Sequence, residues 1–91
     1  MITSFRSKEL EKFWSTGDGA KIRQDQMARI RRRLDALDAA HRPEDLNLPG
    51  FNFHSLRGKP QRYAISMNGP WRITFGWDGD NATLVDLEQY H

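Results

Sequence analysis

The sequence predicts an α+β fold in the order β-α-α-β-β-β, with two N-terminal helices packed on one face of an antiparallel sheet. Three observations predict it. A three-and-four-residue apolar period occupies residues 8–40, and period-two alternation takes over from Phe51 onward. Between two of the alternating runs stands Asn68-Gly69, a strong hairpin-turn signal. Helices first and hairpin-linked strands afterwards give segregated layers rather than a parallel βαβ sheet.

Met1 to Phe5 reads as a short strand, with Ile2 and Phe5 as its apolar residues. Ser7 is placed to cap a short helix on which Leu10, Phe13 and Trp14 share one face. Gly17-Asp18-Gly19 ends that helix. A longer helix runs from about Arg23 to Ala40, where Met27, Ile30, Leu34 and Leu37 repeat at helical spacing. Arg29, Arg31, Arg32 and Arg33 are expected opposite that stripe. His41 to Gly50 is a connection punctuated by Pro43, Pro49 and Gly50, with Leu46 and Leu48 expected to pin it to the core. Phe51-Asn52-Phe53-His54 alternates until Gly58-Lys59-Pro60 breaks the pattern. Tyr63, Ile65 and Met67 alternate with Arg62, Ala64 and Ser66; Trp71, Ile73, Phe75 and Trp77 alternate with Arg72, Thr74 and Gly76. Asp78-Gly79-Asp80-Asn81 makes a second turn, and Ala82 to Tyr90 forms the last strand.

Composition bounds the function. Ninety-one residues suit one domain, 1–91, and 37% hydrophobic with 29% charged residues is ordinary for a globular chain. There is no cysteine, which excludes a disulfide framework and a thiolate metal site. No apolar run is long enough to span a bilayer and no signal-peptide apolar region opens the chain, so the expectation is a cytoplasmic protein without a membrane partner. Charge is unevenly spread. Residues 1–72 hold all fourteen Lys and Arg against eight acids, whereas residues 73–91 hold four acids and no Lys or Arg. Ten of the basic residues are arginine, the side chain suited to bidentate phosphate contacts, so the surplus points toward a polyanionic partner.

Alternation also assigns faces. With Trp71, Ile73, Phe75 and Trp77 toward the helices, Arg72 and Thr74 face away. With Phe51 and Phe53 toward the core, His54 faces away. Val85 and Leu87 as the core pair of the last strand put Asp86, Glu88 and Tyr90 on the far side. His54, Arg72 and Tyr90 are thus expected on one polar side of the sheet, with Arg57 and Lys59 reaching over its rim. His91 alternates to the other face, although a terminal residue turns freely. Each residue also has a simpler reading. Arg72 suits a cross-strand partner for Glu88 or Asp86, His54 a surface histidine, and the Arg29–Arg33 run a solvated helix face or the seat of an acidic partner. The chain has no glycine-rich phosphate loop, no zinc-ligand spacing and no nucleophile elbow, and its three histidines are scattered. What remains is acid–base chemistry on a phosphate, without metal or other cofactor, through imidazole, phenol and guanidinium groups. RNA scission by its own 2′-hydroxyl needs a base, an acid and a fixed cation.

Several segments together resemble the HigB-type plasmid-maintenance killer proteins of the RelE/ParE toxin superfamily. They are Pro43-Glu44-Asp45-Leu46-Asn47-Leu48-Pro49-Gly50, His54-Ser55-Leu56-Arg57-Gly58, Asn68-Gly69 with Trp71-Arg72-Ile73-Thr74-Phe75, and Tyr90-His91. The similarity spans essentially the whole chain. It implies a small RelE-like fold and the toxin of a type II toxin–antitoxin pair, a ribosome-dependent ribonuclease that cuts messenger RNA. It further implies neutralisation by a helix-turn-helix antitoxin of HigA type, with operator DNA reached only through that antitoxin. Carried over by position, His54 and His91 match the acid–base histidines, Tyr90 the aromatic residue beside the substrate, and Arg72 the arginine holding the scissile phosphate. Arg57 stands where relatives often have lysine, and its high pKa makes it a phosphate clamp rather than a proton donor. With Lys59, Arg29, Arg32 and Arg33 it makes up the expected RNA- and ribosome-binding set. The sequence departs from relatives at Gln89, where they commonly carry aspartate; an amide can orient a base but cannot accept its proton. The alternatives are a ParE-type toxin that poisons DNA gyrase without catalysis, and a non-enzymatic protein whose basic helix only docks its antitoxin.

Overall fold

A computed structural model describes residues 1–89; Tyr90 and His91 lie outside the described residues. Helix α1 spans Lys8–Thr16 and α2 spans Met27–Ala39. Ser7 caps α1, its hydroxyl accepting the backbone N–H of Leu10 at 3.2 Å. Gly17 closes the helix at φ 79°, a left-handed conformation that returns its N–H to the carbonyl of Phe13. Strands β1 (His54–Leu56), β2 (Arg62–Asn68), β3 (Trp71–Asp78) and β4 (Asn81–Gln89) form one antiparallel sheet in the order β1-β2-β3-β4. No helix among the described residues is long and apolar enough to cross a membrane.

The helical stripes and one face of the sheet close a single core. Leu10 and Phe13 from α1, and Ile30, Leu34 and Leu37 from α2, are buried with Ile65, Ile73, Phe75 and Val85. Phe53, Tyr63 and Phe75 stack at 5.7 Å between successive centroids, and Trp77 meets Phe75 edge-on at 6.1 Å. These offset and edge-on contacts suit the ring quadrupoles and tie the residue preceding β1 to β2 and β3.

Four details depart from the sequence expectation. The opening segment is not a strand. It touches β4 through two isolated parallel bridges, Ile2 to Ala82 and Phe5 to Val85. Leu84 sits at φ 47° between those partners and β4 shifts register there, so a continuous ladder cannot run along it. The second helix begins with a 3₁₀ turn at Gln24–Gln26 before its α-helical part. Leu46 is fully buried, whereas Leu48 is 42% exposed. The 3₁₀ turn Pro43–Leu46 aims Leu46 inward, and the chain then folds back as Phe51 N–H reaches the Leu48 carbonyl at 3.0 Å. Finally, Asn52 adopts φ 49° and strand pairing starts only at His54, so Phe51 to His54 is a turn entering a strand.

Leu34→Ala is expected to lower unfolding free energy by about 2–5 kcal/mol through lost burial and a residual cavity. Leu48→Ala should change it by roughly 0.5 kcal/mol or less, since the residue lies at the surface. Urea denaturation of both variants checks the contrast.

Candidate active site

The sheet register decides which residues share the face away from the helices. Directly paired antiparallel residues point to the same side. His54, Ala64, Thr74 and Asp86 form one such row across all four strands. Ser66, Arg72 and Glu88 form the next row. His54 and Arg72 therefore lie on one face, as alternation predicted. Both line a cleft of about 480 Å³ whose other walls are Asn52, Ser66, Gly69, Pro70 and Trp71. The Asn68–Trp71 turn makes one end of this cleft, and the Asn52 turn makes another wall.

The His54 ring is held by its own local backbone. Its Nδ1 lies 3.0 Å from the Asn52 carbonyl oxygen. A carbonyl only accepts, so Nδ1 carries the proton in this bond and Nε2 is the nitrogen left to exchange one with a substrate. Arg72 is half-buried on β3 beside Ser66 and opposite Glu88. Tyr90 and His91, the remaining expected catalytic residues, lie outside the described residues.

The same sheet face is not open along its whole length, which alternation alone did not reveal. Thr74, expected to face away from the core, is fully buried. Arg62 covers it: Nη2 donates to Thr74 Oγ1 at 3.0 Å and to the Leu84 carbonyl at 2.9 Å. Thr74 in turn donates its hydroxyl proton to the Glu88 carboxylate. Gly76 lies beside this guanidinium, and the neighbour that a side chain there would crowd is Thr83 of β4. A Cβ there would sit 2.8 Å from Thr83 Oγ1 and 3.8 Å from Arg62 Nη1. Burial, with nearby Arg6, holds the Arg62 guanidinium below its ordinary pKa, and the carboxylates of Glu88 and Asp86 oppose that shift.

The basic residues divide in a way the sequence did not show. Arg29 and Arg32 are exposed on α2. Arg33, expected with them on the solvated side, turns inward: Nε donates to the Ser66 carbonyl at 2.8 Å and the guanidinium lies 4.6 Å from the Phe51 ring centroid. Arg31 lies over Phe13 at 5.0 Å and Trp14 at 6.0 Å. Arg57 and Lys59 are exposed and follow β1 at the Leu56–Arg62 end of its pairing, away from the Ser66–Arg72 end where the cleft opens. They are not part of its lining. Trp71 and Asn52 are lining residues outside the expected site set; the tryptophan reads as core, although the Asn68-Gly69 turn before it marks the start of its strand.

Residues 3–91 match the family described as RelE-like toxin of type II toxin–antitoxin system HigB. The chain belongs to this family. Endoribonuclease HigB of Proteus vulgaris is 33% identical over 92 aligned positions, and the alignment covers the whole of both proteins. Membership in the HigB family makes the chain the toxin member of a type II pair, so an antitoxin is its partner. It also disfavours the ParE-type reading as a gyrase poison. The HigB-like fold positions His54 and Arg72 from different strands, on opposite sides of β2.

Arg62→Met is expected to destabilise this toxin by about 1–3 kcal/mol, because the Leu84 carbonyl and Thr74 lose a charged donor. Chemical denaturation checks it, and the loss should exceed that of the exposed Arg32→Met.

Proposed function

We propose that this toxin is a ribosome-dependent endoribonuclease that cuts messenger RNA and so arrests growth. The observation that carries the reading is the cleft in which a histidine with its Nε2 free and a half-buried arginine stand on one sheet face. Its support from outside the site is the name of the Proteus vulgaris relative, an endoribonuclease.

In this reading the 2′-hydroxyl oxygen of the RNA gives up its proton and attacks the adjacent 3′-phosphate, and the P–O5′ bond breaks as a cyclic 2′,3′-phosphate forms and the 5′-oxygen leaves with a proton. His54 Nε2 takes or supplies the proton, and Arg72 stabilises the negative charge that gathers on the phosphorane. His91 serves as the complementary acid–base group and Tyr90 flanks the substrate. The exposed Arg29 and Arg32 give phosphate contacts on the α2 side. Arg57 and Lys59 serve RNA or ribosomal segments beyond the cleft. The partner that silences the toxin is a helix-turn-helix antitoxin of HigA type, through which operator DNA is engaged, and the working compartment is the cytoplasm.

Expression with the antitoxin withheld should create new messenger 5′ ends; growth arrest without new ends would overturn the proposal. His54→Ala should slow cleavage by roughly 10²–10⁴-fold, the usual worth of a positioned acid or base. Arg72→Ala should cost roughly 10²–10³-fold, as removal of a charge-stabilising donor does. Both are read by single-turnover cleavage on programmed ribosomes, with circular dichroism confirming the fold. Purified protein is expected to cut free RNA poorly, and electrophoresis of naked transcripts checks that.

A further inference from the structure

We infer that Arg33 is a positioning residue for His54, acting through the backbone of Phe51 and Asn52 rather than by holding RNA. The inference rests on the reading of His54 as a proton-handling group in the cleft. It separates Arg33 from the exposed arginines beside it on α2.

The links are contiguous. Arg33 Nε donates to the Ser66 carbonyl at 2.8 Å, and its guanidinium covers the Phe51 ring at 4.6 Å. The N–H of the same Ser66 donates to the Phe51 carbonyl at 2.6 Å. Phe51 is therefore held at its ring by α2 and at its backbone by β2. The next residue, Asn52, sits at φ 49°, a left-handed turn conformation that asparagine tolerates better than most non-glycine residues. Its carbonyl receives His54 Nδ1 at 3.0 Å, which fixes the tautomer and leaves Nε2 for chemistry. Ser66 and Asn52 both line the cleft, so the clasp forms part of its wall.

The environment of Arg33 suits this role better than phosphate binding. Desolvation, followed by the charges of Arg29 and Arg32, pushes its guanidinium below the ordinary value, in keeping with a half-buried side chain. Nε is already engaged, and a ring covers one face. Lysine cannot replace it, because an ammonium offers neither the planar stacking surface nor a donor in the Nε position. Arg33→Lys therefore keeps the charge and removes the clasp.

The test uses the purified full-length toxin carrying Arg33→Lys. Long-range ¹⁵N correlation spectra of the His54 ring, recorded without RNA, should show the Nδ1–H tautomer in the parent and a mixture in the variant. Single-turnover cleavage on programmed ribosomes should slow roughly ten- to a hundredfold at saturating substrate with KM nearly unchanged, as for a misplaced catalytic group. The exposed Arg29→Ala should instead act on KM and on salt dependence. An unchanged His54 spectrum in Arg33→Lys, with a raised KM, would overturn the inference and return Arg33 to the RNA-binding set. A shifted tautomer without slower cleavage would uphold the coupling to the ring but overturn the positioning role in catalysis. A parent protein that shows the Nδ1–H tautomer yet cuts no messenger counts against the nuclease reading and not against the clasp. Should Arg33→Lys fail to fold, Phe51→Leu removes the stacking partner while keeping an apolar side chain, and the same two readouts decide.

Discussion

Everything in this fold depends on covering β3 on both of its faces. Ile73 and Phe75 go under the helices, which is the ordinary fate of a central strand. Thr74 and Gly76 point the other way and have no second layer of secondary structure to bury them. A single arginine does so, reaching from β2 across Gly76 to a carbonyl on β4. The long apolar stem of arginine covers sheet surface while its guanidinium satisfies polar atoms that would otherwise be orphaned. That cover ends at Thr74. One row further on, Ser66 and Arg72 line the cleft.

The charge distribution follows the same logic. The four acids of residues 73–91 look from sequence like a repulsive counterweight to a basic body. Two of them, Asp86 and Glu88, face the Arg62 guanidinium and moderate the effect of its burial. On α2 the run of arginines divides by direction. Arg31 and Arg33 fold onto aromatic rings at the two flanks of the helix, while Arg29 and Arg32 keep their charge in solvent. A helix rotates about 100° per residue, so neighbouring arginines in a run cannot share one environment.

This division marks the limit of what sequence could show. The Ser7 cap, the Gly17 stop, the Ile30–Leu34–Leu37 stripe and the Asn68-Gly69 turn are local features, and each is found where its chemistry dictates. The sharing of a face by His54 and Arg72 was also legible, because alternation is a local property and the hairpins fix the register. Burial on the far face was not legible. Alternation says that Thr74 points away from the helices but not that an arginine twelve residues earlier lies across it. The inward turn of Arg33 and the broken pairing of Met1 to Phe5 depend on partners distant in sequence, Ser66 in one case and the Leu84 bulge in the other.

A further constraint explains why the cleft wall needs a clasp at all. His54 opens a strand of three residues at the edge of the sheet, paired on one side only. Such a strand end frays readily, and an imidazole proposed to move a proton must hold its direction closely to be of use. The aromatic stack through Phe53 anchors the residue before it on the helix side. That contact fixes the position of the backbone but not the rotation of the ring on the opposite face. Rotation is set by the Asn52 carbonyl, which points at Nδ1 because the turn at Asn52 is left-handed. A left-handed asparagine is a weak support by itself. It becomes a firm one when the preceding residue is gripped at both ring and carbonyl, as Phe51 is between Arg33 and Ser66. The precision of the site is thus supplied by α2, the most regular element of the chain, to one of its shortest strands.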